Sequence, residues 1–203
     1  GAASVVVLDA DRATVTAQEA LDLTGTSGTV SFDAVPATAI PADIAAAQRL
    51  WRLLLATDAV GVASRALALA VDWAGQREQF GRPIGSFQAV KHKLADMLVD
   101  LEHARSAAYH AAWALTDGTD DPAVATSIAQ AVASAAFSRI ARDTIQVLGG
   151  IGFTWEHQAH LYFKRASTDA ALLGSAEAHR DRVAALVLDT AEADREPWVA
   201  TGV

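Results

Sequence analysis

Histidines and acids are the first side chains to weigh as metal ligands or bases, and the chain has six of the former and 24 of the latter. A di-iron centre in a helical bundle needs two Glu-x-x-His pairs facing inward. Here Glu156 and His160 are four residues apart, and Glu177 and His179 are two apart. Neither the His157/His160 pair nor Glu156 beside it makes the helical zinc motif. No metal site is expected, and the histidines read as surface or interface residues. A serine nucleophile has no Gly-x-Ser-x-Gly elbow to carry it. Gly149-Gly150-Ile151-Gly152 looks like a phosphate loop, but it closes a helical pattern where a dinucleotide fingerprint would open one, so on its own it reads as a helix C-cap. Arg77 likewise reads on its own as a cation at a helix C-terminus. Two segments are not absorbed by these readings: residues 77–88, with Arg77, Gln79, Phe80, Gly81, Pro83, Ile84, Phe87 and Gln88, and residues 146–154, with Gln146, Gly149, Gly150, Gly152 and Phe153.

The elements that must position these segments are legible in outline. At 203 residues, 52% hydrophobic and 20% charged, the chain fits one domain or part of something larger and can bury a core. A net charge of −8 leaves no basic surface to neutralise phosphates, so a nucleic-acid partner is not expected. The absence of cysteine excludes a disulfide scaffold. The longest uncharged run, residues 122–138, is too short and too polar for a membrane span, and residues 1–10 lack the marks of a signal peptide. A cytoplasmic, membrane-free protein is the expectation.

Residues 5–8, 14–16 and 28–33 read as strands, with a marked turn over 24–28. Three short strands cannot form a stable domain, so residues 1–40 look like the end of a larger sheet. From there on the apolar period is helical. A first helix with Pro41 in its opening turn runs to Gly75. A second is capped by Ser86, and a third opens with Asp121 as N-cap and Pro122 at its first position and ends at Gly149-Gly150. A shorter helix covers about 156–172, and Ser175 opens a last one reaching about Ala193, with a frayed tail after Asp194. Long helices joined by short loops predict a mainly α fold, an antiparallel helical bundle over 41–203 preceded by a short β remnant.

With both segments in place, residues from about 29 to 190 closely resemble the C-terminal helical domain of the acyl-CoA dehydrogenase family. The run R-x-x-F-G-x-P-I-x-x-F-Q from Arg77 and the run Q-x-x-G-G-x-G-F from Gln146 occur in order, with the expected long helix between them. Residues 30–36 then look like the strand that ends the family's middle β-domain, so the chain resembles the C-terminal half of a subunit. The stretch 152–165 is similar to heteromeric members of the family, including those acting on steroid side-chain thioesters.

The resemblance implies FAD as cofactor, an acyl-CoA as substrate, and an electron-transfer flavoprotein or similar acceptor. It implies homo- or hetero-oligomers through the bundle, with groups contributed to a flavin held mainly by a neighbouring subunit. Arg77 matches the arginine that reaches the flavin pyrophosphate; Gln79, Phe80 and Gln88 match contacts from the same turn; Gln146, Gly149 and Gly150 match the segment beside the adenine half. Two departures concern the base that removes the substrate α-proton. The family's two glutamate positions hold Leu173 and Trp51, and neither side chain can accept a proton. Arg52 matches the arginine next to the second position and is the expected substrate contact. Asp58, two turns beyond Trp51 on nearly the same helix face, is the remaining candidate base. Burial among Leu55, Ala59 and Val62 would raise its pKa as that role requires; alternatively it pairs with a cation or caps a neighbouring helix. Loss of both glutamates also fits a non-catalytic partner that still completes a flavin site.

Overall fold

The computed structural model describes residues 5–118 and 120–189. Five helices dominate it: α1 (Ile44–Gln76), α2 (Gln88–Asp117), α3 (Pro122–Leu148), α4 (Ala159–Asp169) and α5 (Ala176–Ala184), which runs on into a π turn over Ala185–Asp189. The expected end near Ala193 and the tail after Asp194 lie outside the described residues.

Antiparallel packing is fixed by polar pairs between neighbours. Lys93 meets Asp143 at 2.6 Å and Arg139 meets Asp100 at 2.6 Å, so α2 and α3 run in opposite directions. The Thr144 hydroxyl donates to the Ala66 carbonyl of α1 at 3.2 Å, both buried. The α1 seam is almost all alanine: Ala56, Ala59, Ala63, Ala66, Ala70 and Ala74 are buried at helical spacing. Side chains this small let helices approach closely, and Met97, Leu101, Phe137 and Ile140 fill the space left between them.

The helix starts differ from expectation in two places. Asp43, not the Pro41 turn, sets the start of α1, because its Oδ1 accepts from the Ala46 N–H at 2.9 Å. Ser86 does not cap α2. Residues Ile84–Ser86 form a 3-10 turn closed by the Phe87 N–H on the Ile84 carbonyl, which leaves Phe87 at the cap and the Ser86 hydroxyl buried without a partner. Asp121 and Ser175 do cap α3 and α5. The fourth helix is shorter than its apolar pattern: His157 Nδ1 accepts from the Ala159 N–H and starts it late, and a turn through Leu173 and Gly174, both at positive φ, follows its end.

The N-terminal strands are β1 (Val5–Leu8), β2 (Thr14–Gln18), β3 (Ser27–Ser31) and β4 (Ala37–Ile40), the last not anticipated from sequence. They pair as two separate antiparallel ribbons, β1 with β4 and β2 with β3. Residues 14–18, 27–31 and 37–40 are exposed throughout.

Candidate functional site

The first segment is a tight hairpin hung on the end of α1. Strands β5 (Glu78–Gln79) and β6 (Arg82–Pro83) pair so that Gln79 opposes Arg82, leaving Phe80-Gly81 as a two-residue turn. Both turn residues take positive φ, +55° at Phe80 and +74° at Gly81, as a type I′ turn demands. Glycine does this freely, whereas phenylalanine is strained there, a condition that concentrates at functional sites. Phe80 is nonetheless 92% exposed. Its ring touches Phe87 edge-on at 6.0 Å, and the Arg82 guanidinium sits 4.1 Å over the other ring. The hairpin is clamped to α1: a Cβ on Gly85 would fall 2.9 Å from the Ala74 carbonyl oxygen. Arg77 caps α1 through its backbone, and its exposed guanidinium has no partner among the described residues. Gln79 and Gln88 are exposed too; Gln79 Nε2 donates to the Glu78 carbonyl at 2.8 Å, and Gln88 Nε2 lies 3.5 Å from His92 Nε2.

The second segment ends α3. Gly149, at φ +66°, returns its N–H to the Ile145 and Gln146 carbonyls. A Cβ on Gly149 or Gly150 would meet nothing within 4 Å, so this backbone is open to approach. Gly152 is the opposite case, since a Cβ there would lie 2.8 Å from the Ile145 carbonyl oxygen. Gln146 is exposed and lines a cavity of about 400 Å³ with Arg142, Gly152, Phe153, His160 and Lys164. Trp155 meets the His160 ring edge-on at 4.8 Å and lies under the Lys164 ammonium at 4.4 Å. Since α1 and α3 run parallel, both segments lie at the same end of the bundle, although no polar contact joins them.

Trp51 is 61% and Leu173 41% exposed, while Arg52 is 5% exposed. Arg52 Nε and Nη1 are sealed from solvent without an acceptor. Burial, then the charges of Arg182 and Arg49, disfavour its protonated form. His179 is also buried, which corrects the expectation of surface histidines; α5 turns it inward beside the Leu173 backbone.

Asp58 is half-exposed and not surrounded by aliphatic side chains alone. Its Oδ2 accepts from Arg165 Nη2 at 3.0 Å, the cation pairing that the sequence left open. Arg165 also binds Asp22 at 3.1 Å and Asp169 at 3.3 Å. One guanidinium therefore joins the β2–β3 turn, α1 and α4. Burial opposes its charge, but the bonds to Asp58 and Asp22 and the charge of Asp169 outweigh that and hold it protonated. Burial also pushes the Asp169 carboxyl up to about 6, against the pull of Arg165. For Asp22 burial is outweighed by the Thr24 hydroxyl and amide and by Arg165, and its carboxyl is held low. Beside this cluster lies a cavity of about 350 Å³ lined by Thr24, Asp58, Val62, Gln158, Leu161, Tyr162 and Arg165.

Residues 43–188 match the family profile described as acyl-CoA dehydrogenase, C-terminal domain. The chain belongs to the acyl-CoA dehydrogenase family. Acyl-CoA dehydrogenase FadE34 of Mycobacterium tuberculosis is 45% identical over 152 residues, covering 74% of this chain and 21% of that protein. A variant of the Tcur3481-Tcur3483 steroid ACAD has a similar structure, with a TM-score of 0.86 at 33% identity over 93% of this chain and 53% of that one. The ChsE4-ChsE5 complex from Mycobacterium tuberculosis gives 0.77 at 29% over 91% and 50%. The chain thus spans about half of these solved chains and about a fifth of the curated relative.

Within this flavoprotein family's C-terminal domain, the Arg77 and Gln146 turns are the segments that carried the resemblance. Sequence reasoning missed Arg165 as a hub, and Asp22 and Asp169 with it. The Arg165/Asp169 spacing of four is a helical pair signal, but the Asp22 contact spans 143 residues and has no local signature.

Proposed function

We propose that this chain is the C-terminal part of an FAD-dependent acyl-CoA dehydrogenase subunit, in an assembly that dehydrogenates an acyl-CoA thioester between its α and β carbons and passes the electrons to an electron-transfer flavoprotein or similar acceptor. The observation that carries this reading is the display, at one end of the bundle, of the unpartnered Arg77 guanidinium with exposed Gln79, strained Phe80, exposed Gln88 and Gln146, and the open Gly149-Gly150 backbone. Those groups fit FAD. A guanidinium suits a pyrophosphate, amides suit ring and ribose edges, and bare glycines admit a nucleotide against the main chain. FAD supplies the hydride acceptor, and what this chain does is bind and orient it, jointly with a neighbouring subunit.

A second reading rests on Asp58. With Trp51 and Leu173 at the usual base positions, Asp58 is the remaining candidate, and its Oδ2 is engaged by Arg165. The guanidinium occupies the oxygen that a substrate proton would have to reach. This favours a partner subunit that completes the flavin site and helps pack a heteromer, with the base supplied by another chain, over one in which Asp58 removes the α-proton. Deuterium exchange at the acyl α-carbon in the assembled enzyme decides between them. Exchange that survives Asp58→Asn assigns the base elsewhere, and exchange that is lost while flavin content is unchanged makes Asp58 the base.

A further inference from the structure

The cavity of about 350 Å³ beside Arg165 lies apart from both flavin segments, and its walls are chemically mixed. Val62 and Leu161 are aliphatic, while Thr24, Asp58, Gln158, Tyr162 and Arg165 can form hydrogen bonds. Some of that capacity is unused. Asp58 is held by Arg165 through Oδ2, which leaves Oδ1 to accept a further bond. Thr24 donates its hydroxyl proton to Asp22 at 2.6 Å, and its oxygen can still accept. Tyr162 reaches Gln158 Oε1 only at a long 3.4 Å, and the Gln158 Nε2 donors have no partner among the described residues. The charges that line the cavity, Asp58 and Arg165, neutralise one another. Arg165 already meets three carboxylates, which leaves no place for a fourth. An ammonium at Asp58 would stand beside the guanidinium that holds the same carboxylate. A hydroxyl suits these walls best, because it donates to one acceptor and accepts from one donor without adding charge.

The cavity sits on the seam between α1 and α4, and the seam has a direction. Gly174, just past Leu173, comes within 3.6 Å of His179 Nε2, measured from the position a Cβ would take. The charge of Arg52, next to Trp51, bears on the same ring. Further along, Arg165 meets Asp58, and then Leu161 and Val62 line the cavity together, so the two helices run antiparallel. From Trp51 to Asp58 is about 10 Å along nearly one face of α1, the reach of an extended chain of about eight carbons. We propose that this cavity receives the far end of the acyl group and selects acyl chains that carry a hydroxyl there, bound by Asp58, Tyr162 and Gln158. The proposal rests on the functional reading above, in which the reacting carbons lie by Trp51 and Leu173. Asp58 is then a recognition group, and its bond to Arg165 holds the carboxylate in position for that role.

The test is equilibrium binding by calorimetry to the assembled enzyme, without turnover. The probes are eight-carbon α,β-unsaturated acyl-CoA thioesters, already dehydrogenated, whose far ends are a methyl, a hydroxyl, an amine or a carboxylate. The hydroxyl compound is expected to bind about tenfold more tightly than the methyl one, the effect of a hydrogen bond to a charged acceptor. The amine and the carboxylate are expected to bind more weakly than the hydroxyl. Asp58→Leu should bring the hydroxyl-to-methyl ratio to about one. Tyr162→Phe keeps the Arg165 cluster whole and should lower that ratio about threefold, which decides the matter even if Asp58→Leu does not fold. A methyl end that binds as well as the hydroxyl overturns the proposal, as does an amine or carboxylate that equals it, or a hydroxyl preference that Tyr162→Phe leaves intact. If all four thioesters bind without preference, the acyl-CoA reading stands and this proposal alone fails. If none binds, the reading itself fails and takes the proposal with it.

Discussion

Arg165 binds three carboxylates with one guanidinium, and this imbalance sets how the chain responds to pH. Burial pushes the Asp169 carboxyl up to about 6 from an ordinary value of 3.8. A carboxyl whose folded-state pKa is raised prefers to be protonated in the fold. Its stabilising contribution is complete below its unfolded value and is lost as pH rises through about 6. Asp22, held low, acts in the opposite sense and only at lower pH. Denaturant stability is therefore expected to fall between about pH 4 and pH 6, by up to about 3 kcal/mol from Asp169 alone. Asp169→Asn should flatten that slope; an unchanged slope would remove Asp169 as its source. Arg165→Met leaves Asp22 and Asp169 buried without their cation and should cost about 2 kcal/mol, the fully buried figure being reduced because Asp58 and Arg165 reach solvent. Hydrogen exchange of the β2–β3 turn should speed up in the same variant, as Asp22 is what ties that turn to the helices.

At the scale of elements, the two glycines that follow α3 separate packing from recognition. Gly152→Ala forces a methyl to within 2.8 Å of a carbonyl oxygen and should lower stability by about 1–3 kcal/mol. Gly150→Ala meets nothing within 4 Å, so its stability should hold while FAD affinity drops. Thermal melts and flavin titration of the two variants check this; equal melting points for both would contradict the packing argument. The helices themselves were legible because their caps and breaks are local. Asp121-Pro122, Ser175 and Gly149 each announce an end by residue type alone. Asp43 and Phe87 were missed for a different reason: in each case a neighbour, Pro41 or Ser86, carries an equally good local signal, and the choice is made by how the incoming chain packs. Likewise the pairing of β4 with β1 joins residues about thirty positions apart, from Leu8 with Ala37 to Val5 with Ile40, which period alone does not specify.

At the scale of the whole molecule, the arrangement makes sense as one portion of a larger assembly. Trp51, Phe80, Tyr109, Phe153 and Trp155 all stand more than half exposed, and large apolar surface left open marks sites of further association. The purified chain is expected to elute as an oligomer or with partners, and light scattering that reports a monodisperse monomer would count against this. The candidate flavin contacts were readable from sequence because they sit in two contiguous runs. The Arg165 hub was not, because it is assembled from a turn and two helices far apart in the chain, and the burial of Arg52 and His179 is a property of packing. The central claim concerns the first group, and visible absorption of the assembled protein, comparing flavin content per chain between the parent and Arg77→Ala, tests it most directly. Flavin present in the parent and largely lost from a variant with unchanged helical content is the predicted result. Equal flavin content in the two would contradict the assignment of this end of the bundle to the cofactor.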